Sequence, residues 1–101
     1  MTFVGAGPSP PAGFEWDEDK RLSNLAKHGV DFRRAVQIFE SRVLNFPDQR
    51  RDYGELRIRC LGEIEGRVYN VVYTWRGSIR RIISARKANA REQRAYYARH
   101  A

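Results

Sequence analysis

Between Gly54 and Arg94 three apolar runs are interleaved with arginines: LRIRCLG, RVYNVVYTW and SIRRIISARK. Successive side chains of a strand point to opposite faces, so period-two alternation sorts a strand into a dry side and a wet side. Leu56, Ile58 and Cys60 share one parity, and Arg57 and Arg59 share the other. This predicts a strand over Glu55–Leu61 with an arginine-bearing face. GEIEG then makes a tight connection to a second strand, Arg67–Trp75, as in an antiparallel hairpin. That strand is the least polar, with Val68 and Val72 on one side and Val71 and Tyr73 on the other, which suits a central position. Arg76, Gly77 and Ser78 turn the chain into a third strand, Ile79–Arg86. There Ile79, Arg81, Ile83 and Ala85 alternate with Arg80, Ile82, Ser84 and Arg86. The imperfect pattern predicts a bulge or strong twist that re-aims one arginine. Asn89 with Glu92 three positions on has the spacing of a capping box and starts a last helix, on which Ala95, Tyr96 and Arg99 recur at helical intervals.

The first half reads as helical. Residues 1–13, rich in glycine and proline, predict a flexible tail ahead of one domain over residues 14–101. Asp17 caps a helix whose apolar stripe is Leu22, Leu25 and Ala26, with Phe14 and Trp16 closing over its start and Gly29 as C-cap. Asp31 caps a second helix with core face Phe32, Ala35, Val36 and Phe39. Val43, Leu44 and Phe46 form an edge strand or strand entry ended by Pro47. A polar loop, DQRRDYGE, leads into the arginine-rich half. The order predicts an α+β domain: two N-terminal helices, a three- to four-stranded antiparallel sheet and a C-terminal helix.

Composition narrows the function. Nineteen basic residues stand against twelve acidic ones, a net charge of +7. Such an excess favours a polyanion or an acidic protein partner over an acidic metabolite. Cys60 is the only cysteine, so no intramolecular disulfide forms. Two histidines and one cysteine offer no zinc spacing, and the acidic residues are not gathered as a metal nuclease requires, so no metal or cofactor is expected. No glycine-rich phosphate loop, HExxH, CxxC or serine elbow occurs. There is no apolar run of membrane-spanning length and no signal-peptide core, which predicts a cytoplasmic protein with no membrane contact.

Arg57 and Arg59 lie about 7 Å apart along one strand, near the spacing of successive phosphates in single-stranded nucleic acid, and guanidiniums fork onto phosphate oxygens. The alternative is a solvated outer face. At least one of Arg81 and Arg86 is expected to join the same surface, and Arg80 to be plain surface or a partner contact. Cleaving a phosphodiester without metal requires an activated 2′-hydroxyl, stabilised charge on the phosphorane and a protonated leaving oxygen. Arginines supply the second. His28, Lys27, Glu55 or Tyr73 could supply the others, although a helix C-cap explains His28 equally well and sheet packing explains Tyr73. Arg57 and Arg86 are expected to hold the scissile phosphate. Lys87, Arg91 and Arg94 make the last helix basic, for polymer binding or for an acidic partner. Cys60 is expected to be buried and inert, Tyr96 to dock the last helix and Tyr97 to be half exposed.

These residues resemble a family, the BrnT toxins of bacterial type II toxin–antitoxin systems. The likeness runs from Phe14 to about Tyr96. It comprises FEWDEDK at Phe14–Lys20, Asn24 with KHGV at Lys27–Val30, Phe32 with its helix to Phe39, and DYGELR at Asp52–Arg57. Gly62, VVYT at Val71–Thr74, RIISARKA at Arg81–Ala88, Glu92 and Tyr96 complete it. The resemblance implies a RelE-like ribonuclease fold, metal-independent RNA cleavage and growth arrest. It also implies a cognate BrnA-like antitoxin with a ribbon-helix-helix part, through which the complex binds operator DNA. The motif positions carried over are Lys27, His28, Glu55, Arg57, Tyr73, Arg81 and Arg86. Arg80 departs from the family pattern, where that strand position is usually apolar.

Overall fold

The computed structural model describes residues 10–100; most of the tail expected over residues 1–13 lies outside the described residues. Its elements are β1 (Phe14–Trp16), α1 (Glu18–His28), α2 (Phe32–Ala35) running into a 3₁₀ segment (Val36–Glu40), β2 (Val43–Pro47), β3 (Ile58–Ile64), β4 (Arg67–Arg76), β5 (Ile79–Lys87) and α3 (Ala90–His100). The fold is α+β, as the pattern predicts, but the sheet has five strands, in the order β1-β5-β4-β3-β2. β2 through β5 pair antiparallel, and β1 joins the far edge parallel to β5, with Glu15 opposite Arg81. The extra strand is the Phe14–Trp16 segment, expected to cover a helix start. Three residues carry too little periodicity to read as a strand, and Gly13 O, which accepts from Arg80 N at 3.0 Å, begins the pairing before the apolar residues do.

The hairpin of β3 and β4 is tighter than GEIEG suggests. β3 continues to Ile64, and only Glu65 and Gly66 turn, both at positive φ (48° and 81°). Two left-handed residues give the turn whose twist matches the flanking strands. In the β4–β5 hairpin, Val72 pairs with Ser84 and Tyr73 with Ile82, which leaves Ile83 as the extra residue of a bulge. This is the irregularity the alternation predicts. It reverses the parity of β5, so that Arg81, Ser84 and Arg86 share one face although 81 is odd and 84 and 86 are even.

Each face of the sheet has its own core. On one side α2 and the 3₁₀ segment press Phe32, Ala35, Val36 and Ile38 onto Cys60, Ile64, Val71, Tyr73, Ile82 and Ala85. Ile38 enters because the tighter 3₁₀ spiral repeats every three residues, carrying 35 onto 38. Gly62 is required beneath it: a Cβ there would stand 2.5 Å from Ile38 Cβ. On the other side α3 covers only part of the sheet, seating Tyr96 and Ala88 on Leu61 and Val68. Tyr96 Oη donates to Arg42 O at 3.0 Å. Tyr97 is half exposed, as expected.

The apolar stripe expected to bury α1 does not do so. Leu22 is 49 % exposed and Leu25 38 %, and Asn24 is the helix's buried residue. α1 stands beside the part of β5 that β1 is too short to cover. Asn24 replaces the missing strand: Nδ2 donates to Ala85 O (2.7 Å) and Val30 O (2.9 Å), and Oδ1 accepts from Ala85 N (3.1 Å). Asp17 and Asp31 cap α1 and α2 through Lys20 N and Arg33 N, and Gly29 closes α1 in the left-handed conformation, as the sequence predicts. Among the described residues no helix is long and apolar enough to cross a membrane.

Candidate functional site

The face that α3 leaves partly open carries the arginines. Arg59 on β3, Thr74 and Asn70 on β4, and Arg81, Ser84 and Arg86 on β5 share it, as the pairing register requires. Arg57 precedes β3 and has the parity of Arg59. Its segment is held against β4 by Thr74 Oγ1, which donates to Leu56 O at 2.7 Å, and its carbonyl accepts from Asp48 N at 2.8 Å. The face therefore brings Arg57, Arg59, Arg81 and Arg86 onto one surface. It is a band: from Asn70, opposite Arg86, to Arg76 it runs roughly 20 Å along β4. Arg57 and Arg86 lie at different levels of that band, Arg86 opposite Asn70 and the Arg57 segment beside Thr74, so they do not converge on one point as expected.

All four guanidiniums have carboxylates nearby. Arg81 donates to Glu15 at 2.8 Å across the parallel pair. Glu55 accepts from Arg57 at 3.2 Å and lies 3.5 Å from Arg76. The Arg57 guanidinium also lies 4.0 Å from the Tyr53 ring, a stacking contact that fixes its plane. Arg86 forks onto Glu92 with two bonds of 2.8 Å, and Arg59 stands 4.0 Å from the same carboxylate.

Glu92 is the centre of this arrangement. It caps α3 reciprocally with Asn89, whose N–H it accepts at 2.9 Å while its own N–H donates to Asn89 Oδ1 at 2.8 Å. It also accepts from Asn70 Nδ2 at 2.8 Å. Burial alone would push its carboxyl up, but the hydrogen bonds from Arg86, the Asn89 backbone and Asn70 outweigh it and hold the group at about 2. Beside it opens a cleft of ≈ 520 Å³ lined by Phe46, Arg59, Leu61, Asn89, Arg91 and Glu92. Arg59 lies over the Phe46 ring at 5.3 Å. Arg91 lines this cleft together with Arg59.

Other expected residues lie elsewhere. Tyr73 is 3 % exposed and belongs to the opposite face, packed edge-on against Phe39 and Trp75. Its phenol cannot reach a chain lying over the arginines. Lys87 pairs with Tyr69 and turns toward the α2 side, beside Val30 and Arg34. Lys27 and His28 are exposed at the end of α1, in a shallow depression with Lys20, Ser23, Ile83 and Ser84. They flank the band on the β5 side. β4 and β5 separate them from Glu55, roughly 10 Å of sheet before the helix is counted. One phosphate cannot engage both groups. Burial pushes the Cys60 thiol up to about 12, as an inert core cysteine requires. No three His, Cys, Asp or Glu side chains among the described residues gather as a metal ion would need.

The sequence reading missed Glu92 as more than a cap, and it missed Asn70, Thr74, Tyr53 and Glu15. For Asn70 and Thr74 a signal existed: they are the polar residues inside β4 between its terminal arginines, and they share the parity of Val72. For Glu15 none existed, because its partner lies 66 positions away across a parallel pairing.

A small α+β body with a five-stranded sheet and three helices is consistent with a RelE- or BrnT-like architecture. The family model for the ribonuclease toxin BrnT of type II toxin–antitoxin systems matches residues 16–92. The chain belongs to that family, and its role is that of the toxin in such a system, with an antitoxin as partner. Among curated proteins none matches the chain.

Proposed function

We propose that this toxin is a metal-independent endoribonuclease that arrests growth by cutting RNA. The observation that carries the reading is the Ile83 bulge, which brings Arg81 and Arg86 onto the face of Arg57 and Arg59. An extended RNA laid over this band meets a guanidinium at successive phosphates. The scissile phosphate sits at the Arg57 end, where Glu55 is the neighbouring carboxylate. Glu55 takes the 2′-hydroxyl proton as the O2′–P bond forms. Arg57 and Arg81 stabilise the added charge on phosphorus. The P–O5′ bond breaks, and the leaving 5′-oxygen takes a proton from water. The products are a 2′,3′-cyclic phosphate and a 5′-hydroxyl. Arg59, Arg86 and Arg91 hold flanking phosphates on one side, and Lys27 and His28 attract the chain from the other. The toxin works in the cytoplasm, and its antitoxin carries a ribbon-helix-helix part that places the complex on operator DNA.

The test is cleavage of an end-labelled single-stranded RNA by pure protein, with EDTA present, alongside the same sequence bearing 2′-deoxy sugars. Cleavage of the RNA alone, with cyclic phosphate ends, is expected, and Glu55→Gln and Arg57→Ala should each slow it at least about 100-fold. Abolition by EDTA, cleavage of the deoxy strand, or full toxicity of Arg57→Ala on induced expression would refute the mechanism. Tight RNA binding with no cleavage over hours would leave a binding module without chemistry.

A further inference from the structure

The opposite face of the sheet carries one arginine of a different kind. Arg57, Arg59, Arg76, Arg81 and Arg86 each have a carboxylate within 4.0 Å. Arg80 has none among the described residues. Its guanidinium is enclosed by aromatic rings instead, 4.3 Å from the Phe39 centroid, 4.6 Å from Trp75 and 5.3 Å from Tyr73. Its Nε is buried and has no acceptor. Rings over a guanidinium satisfy its flat faces and leave its N–H groups, which lie in its plane, unused. A buried donor without an acceptor destabilises the folded chain, a cost that an incoming acceptor relieves. Arg80 also lines a cavity of ≈ 410 Å³ together with Phe14, Arg33, Val36, Gln37, Phe39 and Glu40. Trp75, 43 % exposed, stands on the other side of the guanidinium.

We propose that this cavity is a docking site for a protein partner that inserts one carboxylate side chain against Arg80, flanked by an apolar side chain against Phe14 and Phe39. The proposal rests on the membership in a toxin–antitoxin family only for the existence of a partner; it does not need the ribonuclease reading. A carboxylate matches the guanidinium edge, and the chain's net charge of +7 favours an acidic partner. Aromatic and aliphatic side chains beside a half-buried arginine, Phe14, Val36 and Phe39 next to Arg80, are the composition of a protein–protein anchor. A nucleic-acid chain is disfavoured, because phosphate binding accumulates over several aligned cations. The chain's own first nine residues contain no aspartate or glutamate, so they cannot supply the carboxylate. Docking here leaves the arginine band on the far face open, so partner and RNA occupy different surfaces.

The experiment uses the full chain labelled with ¹⁵N-arginine and follows the Arg80 Nε–Hε resonance. The probes are the capped peptide acetyl-Leu-Glu-Leu-amide, its Gln counterpart and a uridine tetranucleotide, each to roughly 10 mM, enough to saturate a site with a Kd of about 1 mM. Expected is a saturable shift of the Arg80 resonance with the Glu peptide, none with the Gln peptide, and unmoved Arg57 and Arg86 signals. Arg80→Met, checked for folding by urea denaturation, should abolish binding of the Glu peptide to the protein while RNA cleavage stays at the parent rate. No shift, an equal shift with the Gln peptide, or a shift with the tetranucleotide alone overturns the proposal. So does an Arg80 shift that depends on protein concentration without peptide, which would assign the cavity to a second copy. If cleavage is absent in both parent and variant while the peptide binds, the ribonuclease reading fails and the docking site stands.

Discussion

Replacing Glu92 by glutamine keeps the shape of the side chain and removes its charge. In the folded chain the carboxyl is held at about 2, whereas an unfolded glutamate titrates near about 4.3. The difference corresponds to about 3 kcal/mol of stability. The side chain is only 12 % exposed, so solvent screening removes little of this. The sign follows from the depressed value. The contribution is complete above the unfolded pKa and is lost as pH falls through the folded one. Glu92→Gln should therefore be less stable by about 3 kcal/mol near pH 7, and the gap should shrink to about half near pH 3 and almost vanish near pH 2. Urea unfolding followed by tryptophan fluorescence measures it. Asp48, which Arg50 likewise holds at about 2, is common to parent and variant and cancels from the difference. A gap below about 1 kcal/mol near pH 7, or one that stays constant down to acid pH, would refute the view that Glu92 is the electrostatic tie between α3 and the sheet.

Three further perturbations probe the framework. Gly62→Ala forces a methyl against Ile38 Cβ, held rigidly in the core, and should cost about 1–3 kcal/mol in urea unfolding. Asn24→Leu leaves both backbone groups of Ala85 and the Val30 carbonyl without their side-chain partner, and should lower stability by about 2–4 kcal/mol and speed amide exchange at Ala85. Cys60, with its thiol pushed up to about 12 by burial, should react with a thiol reagent near pH 8 only as fast as the chain unfolds; rapid reaction of the folded protein would contradict its place in the core.

What could be read from sequence was whatever depends on neighbours along the chain. The caps at Asp17, Asp31 and Asn89, the left-handed Gly29, and the strands of the arginine-rich half follow from spacing over a few residues. So does the bulge, because seven residues of β5 suffice to show that alternation slips. Contacts between distant segments were not legible. A three-residue strand has almost no pattern, so β1 and the Glu15–Arg81 pair went unseen. The Leu22–Leu25–Ala26 stripe misled, because amphipathicity says which side of a helix is apolar and not whether anything covers it. Tyr73 was placed by chemistry on the arginine face, although its own parity with Val71 put it on the other. Lys87 failed for a related reason: the Ile83 bulge fixes its face, and its position at the strand end hides this.

The bulge also explains how one small sheet separates two kinds of arginine. Before Ile83, Arg80 and Arg81 point to opposite faces; after it, Ser84 and Arg86 return to the face of Arg81. On that face five guanidiniums, counting Arg76, share three carboxylates, Glu15, Glu55 and Glu92. Those carboxylates keep like charges from repelling one another in the folded chain, and they hold each fork in a defined plane. Under the proposed function they are also the groups that an incoming phosphate must displace or neighbour. Binding there would be an exchange of one anion for another, and its strength would depend on how firmly each carboxylate is held. Glu92, buried and tied by Arg86, Asn70 and the Asn89 backbone, is the hardest to exchange. Glu55, more exposed and bonded to Arg57 at 3.2 Å, is held less firmly than Glu92. That ordering is the physical reason for placing the reacting phosphate at the Arg57 end of the band and the structural anion at the α3 end.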